Sequence, residues 1–167
     1  MKKILLAALA ALSFAACAPN KTEAPAKKGN GYTDIETPNV KLVQQLNEVS
    51  TKYDTAATRG FYSTNLDTIH NNNETMTVDQ NLGLLASMQK DGITTTIDNY
   101  YAIWETVNEK PNDKGVTNFV LAYIKMTLTR GTKSTKVFFH QVCAIKDGKV
   151  VEEWDVYDSK PFNDIMQ

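Results

Sequence analysis

The chain has 167 residues, of which 42% are hydrophobic and 22% charged, and its formal net charge is −1. These values fit one ordinary globular domain, and they leave out the basic patch that a nucleic-acid partner would need. The only cysteines are Cys17 and Cys143, too few for a disulfide framework.

The chain opens with Lys2 and Lys3, then an apolar run over 4–14. A positive start followed by an apolar stretch too short to span a bilayer comfortably reads as a secretory signal. Small residues then lead to Cys17. Phe14-Ala15-Ala16-Cys17 resembles the lipobox of bacterial lipoprotein signals, with Phe14 where that pattern usually carries Leu. The resemblance implies cleavage before Cys17, acylation of Cys17 and attachment to a membrane of the cell envelope. In a Gram-negative cell this means the periplasmic face or the outer membrane. Ordinary secretion, with Cys17 a chance residue, is the alternative. Residues 1–16 are therefore read as signal peptide, and 17–36 as the lipidated Cys and a flexible tether. Lys, Pro, Gly and Asn dominate that tether and no apolar period runs through it. The domain is read as 37–167.

Thr37-Pro38 is a good helix start, a capping hydroxyl followed by a residue suited to the first turn. Val40, Val43, Leu46, Ser50, Tyr53 and Ala57 recur at helical spacing and predict one helix over 38–57. A short strand is expected over 65–70, then a loop at Asn71-Asn72-Asn73. Thr77-Val78-Asp79-Gln80 has the capping-box pattern and predicts a helix to about Lys90, stopped by Asp91-Gly92.

From Ile93 the pattern turns to strands over 93–107, 116–129, 135–146 and 149–157. Their breaks fall at 110–115, 130–133 and Asp147-Gly148. Short connections imply antiparallel neighbours, and helices followed by a run of strands imply an α+β fold. In the second strand Val120, Ala122, Ile124, Met126 and Leu128 share one face, expected to be core. The inward face of the first strand is left open: one face holds Ile97, Asn99, Tyr101 and Ile103, the other Asp98, Tyr100, Ala102 and Trp104.

The last two strands form the most informative stretch. Asp147-Gly148 suits a two-residue turn with φ > 0 at both positions. Counting outward through a regular ladder sets His140 opposite Asp155. One face then carries Phe138, His140 and Val142 with Glu153, Asp155 and Tyr157. The other carries Val137, Phe139, Gln141, Cys143 and Ile145 with Trp154 and Val156. Because the pairing comes from counting, it depends on an unbroken register.

The run Asp147-Gly148-Lys149-Val150-Val151-Glu152-Glu153-Trp154-Asp155-Val156-Tyr157-Asp158 resembles the terminal hairpin of SnoaL-like proteins in the NTF2-like superfamily. More weakly, the resemblance extends over about 39–162. It implies an α+β cone, a curved antiparallel sheet wrapped around N-terminal helices, with the His140 face of the hairpin turned inward. It also implies His140 and Asp155 as acid–base candidates, since a pocket His and Asp serve that chemistry in SnoaL-like cyclases. The resemblance is specific for fold more than for function.

An imidazole beside a carboxylate can act as a general acid–base pair. It can equally orient a ligand, or serve as a cross-strand contact. Two functions follow: a lipid-anchored domain binding a small, partly apolar ligand or a partner in its cone, or an acid–base enzyme of isomerase, cyclase or hydratase type using His140 and Asp155. Phe138, Val142, Glu153 and Tyr157 are the expected ligand contacts. Cys143 reads as a small core hydrophobe and His70 as a surface or rim residue. No zinc-type spacing and no nucleotide or cofactor motif is present, so no metal or cofactor is expected. The face with Val137, Phe139, Trp154 and Val156 is too apolar for water, and a homodimer through the sheet is the expected cover.

Overall fold

The computed structural model describes residues 31–66 and 68–167. The expected signal peptide, Cys17 and the tether up to residue 30 lie outside the described residues.

The first strand, β1 (Tyr32–Asp34), pairs antiparallel with the end of β4 (Ile93–Val107). It occupies part of the stretch read as tether. Helix α1 (Pro38–Thr51) starts where Thr37 and Pro38 predict, and the Thr37 hydroxyl accepts from the Val40 amide at 3.1 Å. The predicted helix over 38–57 is two helices, because Tyr53 adopts φ 58° and reverses the chain before α2 (Thr55–Arg59). Residues other than Gly rarely take this conformation. Here the Tyr53 ring is buried and its hydroxyl bonds Thr95 at 2.7 Å.

The expected strand over 65–70 is shifted. β2 (Ile69–Asn71) turns through Asn72, at φ 51°, into β3 (Glu74–Met76), so the expected loop at 71–73 is a hairpin turn. Helix α3 (Val78–Lys90) carries both halves of the predicted capping box, Thr77 and Gln80.

Three long antiparallel strands follow: β4, β5 (Asn118–Arg130) and β6 (Lys133–Lys146). They lead to β7 (Lys149–Tyr157) and a short closing helix, α4 (Ser159–Met166), which the periodicity did not reveal. The sheet order is β1-β4-β5-β6-β7-β2-β3, with β2 and β7 parallel and the other neighbouring strands antiparallel.

Two irregularities decide which side chains face inward. In β4 the register shifts between Ile97 and Asn99 and again between Tyr100 and Ala102. Ile97, Tyr100 and Ile103 therefore pair with the inward Met126, Ile124 and Ala122. Neither of the two faces counted from the sequence survives intact.

In the terminal hairpin the turn is as predicted. Asp147 and Gly148 both have positive φ, Lys146 pairs with Lys149 and Ile145 with Val150. The next pair is Ala144 with Glu152, so Val151 is an extra residue: a β-bulge. Beyond it every β7 side chain lies on the face opposite to the counted one.

The inner face packs as two apolar groups. One joins Val40, Val43 and Leu46 of α1 to Val120, Cys143, Ile145 and Val150. The other joins Tyr53 and Met88 to Ile93, Leu128, Val137 and Ile165. As predicted, Val120, Ala122, Ile124 and Leu128 are buried.

Candidate functional site

Between the two apolar groups lies a polar layer. On α1 it is Asn47, on β6 Gln141, and on β7 Glu153 and Asp155, all buried. Along the chain Asn47 follows Leu46 of the first group and precedes Tyr53 of the second, and Gln141 lies between Val137 of the second and Cys143 of the first. They line a cavity of about 130 Å³, whose wider walls are Leu84, Leu85 and Met88 of α3, Leu128 and Phe139 of the sheet, and Phe162 of α4.

The layer is ordered by a directional chain of hydrogen bonds. Asn47 Nδ2 donates to Gln141 Oε1 at 2.9 Å, and Gln141 Nε2 donates to Glu153 Oε1 at 2.9 Å. Each amide has one donor end and one acceptor end. Asn47 thus fixes how Gln141 points, and Gln141 presents an N–H to Glu153, a contact that favours an ionised carboxylate.

Asp155 sits two residues further along the same face. Burial pushes its carboxyl well above the ordinary range, and the neighbouring Glu153 charge and hydrogen bond push it further. Burial also raises Glu153, but there the Tyr62 hydroxyl, Gln141 and Asp155 pull the other way. The Gln141 contact is the well-formed hydrogen bond among these. Two neighbouring buried carboxyls cannot both ionise cheaply, and Asp155 is the one held more strongly towards its protonated form. One oxygen on each, Glu153 Oε2 and Asp155 Oδ1, is buried without another protein group donating to it.

The surrounding groups are proton-retaining. Burial raises the Tyr62 hydroxyl and the Cys143 thiol well above their ordinary values, and the nearby carboxyls add to both shifts. Cys143 is fully buried and belongs to the core, as expected from the sequence. Among the described residues no cluster of three or more His, Cys, Asp or Glu could hold a metal ion.

The expected site residues divide between the two faces. Asp155, Glu153 and Tyr157 line the cavity. His140 does not meet Asp155: it pairs with Val156, and Asp155 pairs with Gln141. The Val151 bulge is the reason. The His140 ring lies on the outer face, stacked on Tyr123 with centroids 4.1 Å apart. Phe138 and Val142 share that face, so their expected place in the ligand site is corrected as well; Phe138 is 59% exposed. Conversely, Val137 and Phe139, expected on the outer face, line the cavity. Trp154 remains outside, stacked on a half-buried His70 at 5.5 Å.

Asn47, Tyr62, Gln141 and Phe162 were not picked out from the sequence. Two of them carried a signal. Gln141 is a polar interruption in an apolar row from Val137 to Ile145, and Asn47 is one on the apolar stripe Val40, Val43, Leu46.

By sequence, no protein-family model and no curated protein matches the chain. Solved structures resemble it in fold. A LEH-like epoxide hydrolase from M. tuberculosis is 15% identical, with a TM-score of 0.56 over 76% of this chain and 88% of that one. PrhC from Penicillium brasilianum reaches 0.59 at 8% identity, over 75% and 83%. A candidate SnoaL-like polyketide cyclase from Shewanella putrefaciens reaches 0.52 at 15% identity, over 78% and 87%. The fold is the NTF2-like α+β cone. At such identities the likeness fixes the architecture, and the chemistry has to come from this chain's own residues.

Proposed function

We propose that the domain binds a small, largely apolar molecule in the cavity, with the polar group of that molecule against Glu153 and Asp155. One observation carries this reading. Two buried carboxyls, each with an oxygen to which no other protein group donates, line a cavity whose other walls are mostly apolar. Buried polar atoms left unpaired are costly, and a ligand would satisfy them. Apolar cavities of about 150 Å³ hold benzene-sized molecules, so the compounds in question are small.

The raised Asp155 carboxyl beside Glu153 supports a second reading, acid–base conversion of the bound molecule. A neutral Asp155 carboxyl can donate a proton to an acceptor on the ligand while the Glu153 carboxylate accepts one. His140 is not part of this scheme, because its ring is on the other face.

Thermal unfolding against a panel of small neutral carbonyl, epoxide and alcohol compounds tests the site. A ligand at 100 times its Kd adds about 2.7 kcal/mol of stability. Leu84→Trp, which fills the cavity, is expected to abolish the shift. A panel that never stabilises the protein, or a shift that survives Leu84→Trp, would sink the cavity reading. Turnover of a stabilising compound that disappears in Asp155→Asn would favour the enzyme.

We also propose that Cys17 tethers the domain to the cell envelope. Labelled palmitate is expected to enter the full chain and not Cys17→Ser, and the variant is expected to leave the membrane fraction. A second copy of the chain is the proposed cover for the outer face, where Tyr101, Phe138 and Val156 are more than half exposed. Sedimentation velocity on Phe138→Lys, expected to shift the protein towards monomer, tests it.

A further inference from the structure

The charge of the cavity names its ligand more narrowly. Among the described residues, the lining includes Glu153 and Asp155 but no Lys, Arg or His. The described ion pairs, Arg59–Asp79, Lys114–Glu152 and Lys160–Asp164, all involve other carboxylates. Among the described residues no cation pairs with these two carboxyls, and Glu153 accepts a hydrogen bond from the Gln141 amide. Burying a charge without a counter-ion is expensive. Both residues are more than nine-tenths buried, at 3% and 7% exposure, and both keep a free oxygen.

Aromatic rings complete the setting. Tyr157 stacks on Phe139 at 5.2 Å and meets Phe162 at a tilt at 5.7 Å, and all three rings line the same cavity as the carboxyls. Ring faces are negative and attract cations, most strongly where water is excluded. A single ammonium beside the pair would supply the missing counter-charge and leave its hydrocarbon part against Leu84, Met88 and Leu128.

We propose that the ligand of this cavity is a small apolar amine in its ammonium form, such as an arylalkylamine. This rests on the cavity being a ligand site. Anions of the same shape are excluded, since a carboxylate or phosphate would meet two carboxyls and no cation. A neutral analogue of the same shape supplies no counter-charge.

Isothermal titration of the purified protein with three molecules of one shape tests the proposal: 2-phenylethylamine, 2-phenylethanol and phenylacetate. The amine is expected to bind at least tenfold more tightly than the alcohol, and phenylacetate not at all. Glu153→Gln combined with Asp155→Asn removes the charge and is expected to cost the amine at least tenfold while leaving the alcohol unchanged. If the double variant does not fold, Glu153→Gln alone carries the same expectation. Alcohol binding equal to amine binding would overturn the amine proposal and leave the cavity reading standing. Binding of phenylacetate would overturn the charge argument. If none of the three binds, the amine proposal fails, and the neutral panel with Leu84→Trp decides the cavity reading separately.

Discussion

The two faces of one sheet contrast sharply in this protein. The inner face of β6 and β7 holds Gln141, Glu153 and Asp155 in a buried polar layer. The outer face holds Trp104, Tyr123 and His140 as a ladder of rings, with centroid spacings of 6.0 and 4.1 Å. β6 supplies both, and in β7 a single extra residue, Val151, decides which side chain goes where. Burial gives the inner face carboxyls that are held towards their protonated form. Stacking with edge exposure gives the outer face an aromatic surface. Chemistry follows the face more than the residue type: the one imidazole of the hairpin is on the side without the carboxyl pair.

Adding a second extra residue is the most severe way to break that contrast. An Ala inserted between Glu152 and Glu153 would set Glu153 opposite Val142 and Asp155 opposite His140, send both carboxyls outward and drive Trp154 and Val156 into the polar layer. Such a reversal of a core face should cost on the order of 4 kcal/mol or more, enough to unfold a typical domain. Urea unfolding followed by circular dichroism measures it. An insertion variant with unchanged stability would show that the register beyond the bulge does not set the faces.

Neighbouring substitutions sharpen it. Gln141→Leu keeps the volume of the inner position but leaves Asn47 Nδ2 and Glu153 Oε1 without their partner. Each stranded buried group costs roughly 1–3 kcal/mol. Val142→Thr, one residue on and on the outer face, is expected to stay within about 0.5 kcal/mol of the parent. Equal losses at the two positions would mean that the polar chain adds nothing to stability.

Titration separates the faces in another way. The Asp155 carboxyl is raised in the folded protein above its ordinary value of 3.8, chiefly by burial. Below that value it is protonated in both states and costs nothing. As pH rises through the folded value, the unfolded chain releases the proton first, so the domain loses stability. Asp155→Asn cannot ionise and escapes the loss. The variant is expected to gain in melting temperature relative to the parent as pH rises from about 4 to 8. A constant difference over that range would refute a raised carboxyl there.

Much of the architecture was legible in the sequence, for local reasons. Thr37-Pro38, Thr77 to Gln80 and Asp147-Gly148 each encode a cap or turn through the chemistry of a few adjacent residues, and each occurs where it was expected. The site was legible in part. Glu153, Asp155 and Tyr157 were chosen from the hairpin, and all three line the cavity. What failed was counting along strands. A bulge carries no required residue here, since Val150 and Val151 look alike, yet one extra residue inverts everything beyond it. The two shifts in β4 are equally silent. Helix α4 was missed because eight residues give too little period to recognise, and its site residue Phe162 went with it.

The smallest expected effect falls on the residue that the sequence favoured most. His140→Ala removes a ring stacked on Tyr123, and such pairs contribute about 0.5–1.5 kcal/mol beyond their area. The ring also covers its own unpartnered Nε2, so part of that loss is returned when the buried nitrogen goes. Ligand affinity and any turnover should be untouched, because the ring lies across the sheet from Glu153 and Asp155. Melting temperature and calorimetric titration on the same sample read both quantities. A loss of binding or turnover at constant stability would mean that His140 reaches the cavity from the far face, and the division of labour between the two faces would have to be abandoned.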